Sequence, residues 1–75
     1  MGIRIVVGLA GGTEPGQVVE RLLEAGADDV LPPRVELPGV LVALFPDAVG
    51  SREAAARAGR LEGVAYAEPD VLRSG

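Results

Sequence analysis

The stretch IRIVVGL, residues 3–9, places apolar side chains at every second position and so predicts the centre of the fold. A period of two is typical of a β-strand with one face packed into a core. A second run, VLVALF at residues 40–45, is apolar on both faces and predicts another strand inside the sheet. We therefore expect these two strands to lie side by side at the centre of one sheet.

A helical pattern follows each of these strands. The first begins after Thr13, a predicted N-cap, and ends at Gly26, a predicted left-handed C-cap. The second covers residues 52–61, with Ser51 as its predicted N-cap. Both patterns carry apolar residues on one side only, so both helices are expected to pack on the sheet.

Two weaker strands complete the predicted order. Residues 28–37 have strand character, but Pro32 and Pro33 lack an N–H, which favours an edge strand ending in a type II turn at Pro38-Gly39. Residues 64–67 form a short last strand, halted by Pro69. The order is βαββαβ, which predicts an α+β protein: a ferredoxin-like sandwich with a four-stranded antiparallel sheet and both helices on one face.

Composition excludes several classes of function. The net charge is -4, and the seven basic residues are all scattered arginines, so no nucleic-acid partner is expected. The chain has no His, Cys or Lys, which excludes the Ser–His, Cys–His and Schiff-base arrangements of covalent catalysis. No apolar run approaches the roughly 20 residues of a membrane span. We expect no catalytic residues, no metal, no cofactor and no membrane partner.

Two motifs invite a ligand-binding interpretation and are weak. The glycine-rich residues 8–16 precede a helix but fit neither common phosphate-binding pattern, and Glu14 would repel a phosphate there. A strand-to-helix turn is the simpler interpretation. Asp28 and Asp29 lack further oxygen ligands and are a poor cation site.

The end of the chain, GVAYAEPD at residues 63–70 followed by VLRSG, is the most informative stretch. Glu68 and Asp70 lie two apart, so in an extended chain they project on the same side, and we expect them beyond the last hydrogen-bonded pair of the edge strand. Paired carboxylates of this kind can accept N–H bonds from helix N-termini of another protein. The alternative is two solvated charges at a domain end.

Three features together resemble the subtilisin propeptide-like inhibitor family: Ile5-Val6-Val7, Gly26-Ala27 after the first helix, and above all residues 63–70. Members are prosegments of subtilisin-like serine proteases or free-standing inhibitors. The likeness covers nearly the whole chain in element order, while only the final motif is specific. It implies an inhibitor domain over residues 1–70 and an extended C-terminal tail over residues 71–75.

The resemblance also implies a mode of binding. The helix-free face of the sheet would lie on two surface helices of the protease, capped by Glu68 and Asp70. The small side chains expected on that face are Val6, Gly8, Ala65 and Ala67. The tail would enter the substrate cleft as an added β-strand, as a cleaved product does, and consists of Val71, Leu72, Arg73, Ser74 and Gly75.

Other readings stay open. If Met1 is the native start, the chain is a cytoplasmic inhibitor; if it is an excised prosegment, it is extracellular and can assist folding of the protease. In both cases we expect a monomer when free.

A different class with the same element order is the ACT-type regulatory module, which binds small ligands at a dimer interface near a turn such as residues 8–16. A third is an assembly domain that pairs through its open sheet face.

Overall fold

The computed structural model describes residues 2–33 and 38–70, which form one sheet and one layer of helices. In chain order the elements are β1 (Gly2–Leu9), α1 (Pro15–Glu24), β2 (Asp29–Leu31), β3 (Val40–Pro46), a single 3-10 turn (Asp47–Val49), α2 (Ser51–Gly59) and β4 (Val64–Pro69). The four strands of the described ranges lie in the order β2-β3-β1-β4, and every neighbouring pair is antiparallel. The predicted α+β, ferredoxin-like arrangement is confirmed.

The two most apolar strands occupy the centre of the sheet, as predicted. β1 pairs with β3 along its length, from Gly2 opposite Pro46 to Gly8 opposite Val40. A strand that is bonded on both sides and covered on one face needs apolar residues on that face and no proline in its interior. Both conditions hold for β1 and β3.

The core lies between the sheet and the helices. Alternate residues of β1 and β3 meet one side of each helix, and the fully buried side chains are Ile5, Val7, Val18, Leu22, Leu41, Ala43, Phe45, Ala54 and Ala58. The alanines of α2 let that helix lie close to the sheet, while Phe45 supplies the largest buried side chain. One apolar layer therefore holds both helices on the same face.

The edge strand β2 is shorter than predicted. It covers three residues, and Pro32 and Pro33 follow it outside the strand. The missing N–H groups of consecutive prolines explain why the ladder stops there. The remainder of the predicted strand, residues 34–37, lies outside the described residues. In the turn that follows, Gly39 has no positive φ, so the predicted type II turn is wrong; its carbonyl instead accepts a bond from the N–H of Leu9 at 2.8 Å.

The start of α1 differs from the prediction by one residue. Glu14, not Thr13, precedes the first helical residue, and no side chain caps this end. Pro15 explains the shift, because it fits the first helical position and forces the residue before it into an extended conformation. The end of α1 is as predicted: Gly26 has φ +116°, and the N–H of Ala27 bonds the carbonyl of Leu22 at 3.0 Å.

The bounds of α2 differ from the prediction too, but here the helix begins and ends earlier than predicted. The residue before its first turn is Gly50, with φ +86°, and Ser51 is already helical. The last helical residue is Gly59 rather than Leu61. The chain then turns at Gly63, whose φ of +92° requires glycine, and enters β4.

The two helices of the described residues are short. α1 has 10 residues and α2 has 9, and neither is long and apolar enough to cross a membrane.

Candidate functional site

The face of the sheet opposite the helices carries the predicted site. We call it the open face, since no described element packs on it. Strand register places on it Arg4, Val6 and Gly8 of β1, Asp29 and Leu31 of β2, Val40, Val42 and Leu44 of β3, Tyr66 and Glu68 of β4, and Asp70 directly after β4. It combines an apolar middle with charged groups at its margins.

The middle of the open face is formed by aliphatic side chains from neighbouring strands. Val6 and Val42 are direct partners across β1 and β3, and both are half-buried. Leu44, the partner of Arg4, is also half-buried, and Leu31 on the edge strand is exposed. Aliphatic residues on adjacent strands form a continuous apolar surface, which is the kind of surface that other proteins bind.

Tyr66 is the largest side chain on the open face. It is the β4 partner of Gly8, and a Cβ added to Gly8 would collide with its aromatic ring. The ring therefore lies over Gly8, which is buried, while the tyrosine itself stays 48% exposed. An aromatic residue that covers a cross-strand glycine is a known way to protect a sheet where a side chain is missing.

The predicted set of small residues on this face is partly wrong. Val6 and Gly8 do lie on the open face, but Ala67 faces the helices: a Cβ added to Gly59 of α2 would meet its methyl group at 3.9 Å. Ala65 lies at a β-bulge, where Gly8 pairs with Tyr66 and Leu9 pairs with Val64. Because the predicted strand, residues 64–67, is apolar on both faces, its sequence alone does not reveal which side meets α2.

Glu68 lies on the open face within the ladder. It is the partner of Val6, and it is exposed. Within residues 2–33 and 38–70, its carboxylate has no ion pair and accepts no side-chain hydrogen bond. A carboxylate in this state has full acceptor capacity for donors of another molecule.

Asp70 is in a different state. Its N–H donates to the carbonyl of Arg4 at 2.8 Å, and its Oδ2 lies 3.4 Å from Nε of Arg4. The Asp70 side chain is 26% exposed. The prediction that both carboxylates lie beyond the last hydrogen-bonded pair is therefore wrong, whereas the prediction that they share one side is confirmed.

Pro69 explains why the strand continues further than expected. Arg4 and Asp70 form a hydrogen-bonded pair, so the next pair inward, Ile5 with Pro69, is a non-hydrogen-bonded one. In such a pair the N–H groups point away from the neighbouring strand, so the missing N–H of Pro69 belongs to the outer edge, where no bond is lost.

The two weak motifs have structural roles in the described residues. The N–H of Ala10 bonds the carbonyl of Gly63 at 2.8 Å, which ties the glycine-rich turn to the start of β4. Asp29 accepts a bond from the N–H of Val30 at 2.8 Å. Across residues 2–33 and 38–70, no three acidic, His or Cys side chains come together in a way that could hold a metal ion.

Five of the predicted site residues, 71–75, lie outside the described residues, so their binding role stays a prediction. Sequence reasoning missed two residues of the open face, Arg4 and Tyr66. The signal for Arg4 was a single cation in an otherwise uncharged strand, and the signal for Tyr66 was the only tyrosine of the chain. Comparison with protein-family models, with curated proteins and with solved structures found no match.

Proposed function

We propose that this chain binds a subtilisin-like serine protease through its open face and inhibits it, either as a free-standing inhibitor or as a prodomain that also assists folding. The observation that supports this most is the state of Glu68. It is an exposed carboxylate without an ion-pair partner in the described residues, next to a half-buried apolar surface and two residues before Asp70, the last described residue.

The chemistry of the face fits a helical surface. Apolar side chains such as Val6 and Val42 can pack against the sides of helices, while a carboxylate at the margin accepts N–H bonds from a helix N-terminus. Such a cap contributes about 0.5–2 kcal/mol, and the positive end of the helix dipole adds to it. The apolar contact and the cap are separate terms, and each can be removed by one substitution.

The proposed inhibition depends on residues 71–75. They follow directly after Asp70, which is still paired with β1. A segment that leaves a sheet in an extended direction can add to a strand of the protease cleft, where main-chain bonds provide affinity and side chains such as Leu72 fill pockets. Such binding competes with substrate.

The test is a titration of the full chain against purified subtilisin-like proteases, with substrate turnover as the readout. We expect competitive inhibition that is lost when residues 71–75 are deleted. Glu68→Gln should raise the inhibition constant about threefold to thirtyfold, as expected for loss of one helix cap. The matched control is Glu20→Gln, an exposed glutamate on α1 in the helix layer, which should leave inhibition unchanged.

A second substitution tests the apolar contact. Val42→Glu puts a charge in the middle of the open face, where a docked partner would bury it without a counter-ion. We expect inhibition to fall at least about tenfold, because burial of an unpaired charge is costly. Thermal unfolding of the variant checks that the domain itself stays folded.

Three outcomes would contradict the proposal, and two of them would indicate another function. If the chain fails to slow turnover at high micromolar concentration, the inhibitor hypothesis is wrong. If instead amino acids raise its melting temperature and it sediments as a dimer, an ACT-type module is the better interpretation. Concentration-dependent association that Val42→Glu abolishes, without any effect on proteases, would indicate an assembly domain.

A further inference from the structure

We propose that the two carboxylates of the terminal motif have different tasks. Asp70 is held by Arg4 and fixes the position of the residue that immediately precedes residues 71–75, whereas Glu68 is the carboxylate that meets the partner. The role of Arg4 and Asp70 follows from contacts within the chain. The role of Glu68 rests on the proposed function.

The Arg4–Asp70 contact has a backbone part and a side-chain part. The N–H of Asp70 donates to the Arg4 carbonyl at 2.8 Å, which adds one further bond to the ladder after Pro69. The side chains lie on the open face, with Nε of Arg4 3.4 Å from Oδ2 of Asp70. Directly opposed residues of opposite charge stabilise the pairing of two antiparallel strands.

The surroundings of Arg4 make Asp70 its specific counter-ion. Nε of Arg4 is shielded from water and has no hydrogen-bond partner within the described residues, because the 3.4 Å approach of Asp70 is an ion pair without hydrogen-bond geometry. In those residues Asp70 is the sole acidic side chain within ion-pair distance of Arg4. Loss of Asp70 would therefore remove the only acidic side chain that the described residues place beside this shielded Nε–H, while the rest of the guanidinium stays partly exposed to water.

The contact matters because β4 is an edge strand of the described sheet and Asp70, which follows it directly, is the last described residue and is paired with Arg4. The ends of edge strands fray unless something holds them. A chain that is fixed at residue 70 starts residues 71–75 from a defined position and direction. Less conformational entropy is then lost when a partner binds those residues. Arg4 is therefore a positioning residue for the tail, while Glu68, which has no ion pair in the described residues, remains available to the partner.

The first experiment needs no protease. Amide hydrogen exchange of Asp70 is measured by NMR in the full chain and in Arg4→Gln, with Arg52→Gln as control, an exposed arginine on α2. We expect exchange at Asp70 to rise about twofold to fivefold in Arg4→Gln, as loss of a cross-strand ion pair implies, and to stay unchanged in the control. Arg4→Lys, which keeps the charge, should restore part of the protection.

The second experiment measures binding by calorimetry to a protease inactivated by substitution of its catalytic serine, so that the protein is not cleaved and the substrate cleft stays free. Arg4→Gln should weaken binding of the full chain about twofold to fivefold but leave the chain without residues 71–75 unaffected. A substitution that merely destabilised the sheet would weaken both. The double variant Arg4→Gln, Asp70→Asn should lose no more binding free energy than Asp70→Asn alone. The loss caused by Arg4→Gln should instead add to the loss caused by Glu68→Gln.

The outcomes separate this inference from the proposed function. If exchange at Asp70 is the same in Arg4→Gln and the parent chain, the role of Arg4 is overturned, even where inhibition is strong. Equal losses of binding in the presence and absence of residues 71–75 would also overturn it. If the parent chain binds no protease but exchange at Asp70 responds as expected, the role of Glu68 falls with the proposed function and the Arg4–Asp70 contact stands.

Discussion

The two faces of the sheet differ in the size of their side chains and in how completely those side chains are buried. On the helix-covered face, large aliphatic and aromatic side chains of the central strands meet the alanines of α2 and the valine and leucine of α1, and no water reaches them. On the open face the same strands carry medium-sized side chains that are half-buried by their neighbours. The covered face therefore stabilises the fold, whereas the open face is available for binding.

Two contacts of β4 show the difference in detail. On the covered face two small residues meet with room to spare, because a Cβ added to Gly59 of α2 would lie at an ordinary 3.9 Å from the methyl group of Ala67. On the open face a large residue meets the smallest one, because the ring of Tyr66 lies on Gly8. Under α2 the covered face has room for one more methyl group, whereas on the open face, where no described element packs, a large ring fills the space above the glycine.

The largest expected effect separates the faces with two adjacent residues of β3. Leu41→Ala removes a side chain that is fully buried on the covered face, and it should lower the free energy of unfolding by about 2–5 kcal/mol. Val42→Ala, on the open face, should lower it by less than about 1.5 kcal/mol, since its side chain is only half-buried. Urea unfolding of both variants measures the difference.

Equal losses in the two variants would show that the open face is packed as tightly as the covered one. Because a domain of this size has a small total stability, Leu41→Ala can prevent folding altogether. Leu41→Val is then the milder variant, and its loss should still exceed that of Val42→Ala.

A second prediction asks whether packing on the covered side is tight everywhere. Gly63→Ala should destabilise the fold by about 1–3 kcal/mol, because its φ is +92° and its Cβ would lie 2.7 Å from Cγ2 of Thr13. Gly59→Ala is the matched control. It should be neutral or stabilising by up to about 1 kcal/mol, since the residue is helical and its Cβ would meet Ala67 at an ordinary 3.9 Å. Thermal unfolding of both variants in the same buffer compares them. A lower stability of Gly59→Ala would mean that α2 lies closer to β4 than the structure shows.

The smallest expected effect concerns the open face. Gly8→Ala should cost about 1 kcal/mol, because the new methyl group displaces the Tyr66 ring, which can rotate into solvent. In a Tyr66→Ala background the same substitution should cost less, since the collision is gone. Urea unfolding of the four chains gives the coupling. If the cost of Gly8→Ala is the same in both backgrounds, the ring does not cover β1 in solution.

Much of the fold could be predicted because its signals are local. The alternation in residues 3–9 and the two-sided apolar run in residues 40–45 identified the central strands, and the paired prolines identified an edge. The errors at helix starts were of one residue, and they arose where Pro15 and Gly50 fix the backbone more strongly than a hydroxyl cap does. Local chemistry was misjudged there, but the element order was unaffected.

The site was harder to predict because it depends on register. The pairing of Arg4 with Asp70 and of Gly8 with Tyr66 joins residues far apart in the chain, and the bulge at Ala65 shifts the register of β4 just beyond them, between the Gly8–Tyr66 and Leu9–Val64 pairs. No local pattern reports a bulge of this kind, so the faces of the last strand could not be assigned from its own sequence. The shared side of Glu68 and Asp70 was predictable, since it requires only an extended chain.

The position of Tyr66 also makes the molecule its own optical probe. The chain has one tyrosine and no tryptophan, so its near-ultraviolet absorbance and emission arise almost wholly from a ring that lies on the open face. A ligand that covers this face would change the solvent around the phenol, whereas one that binds on the helices would leave its spectrum unaltered. Tyrosine absorbance and fluorescence, without an added label, can therefore show which face of the sheet a ligand occupies.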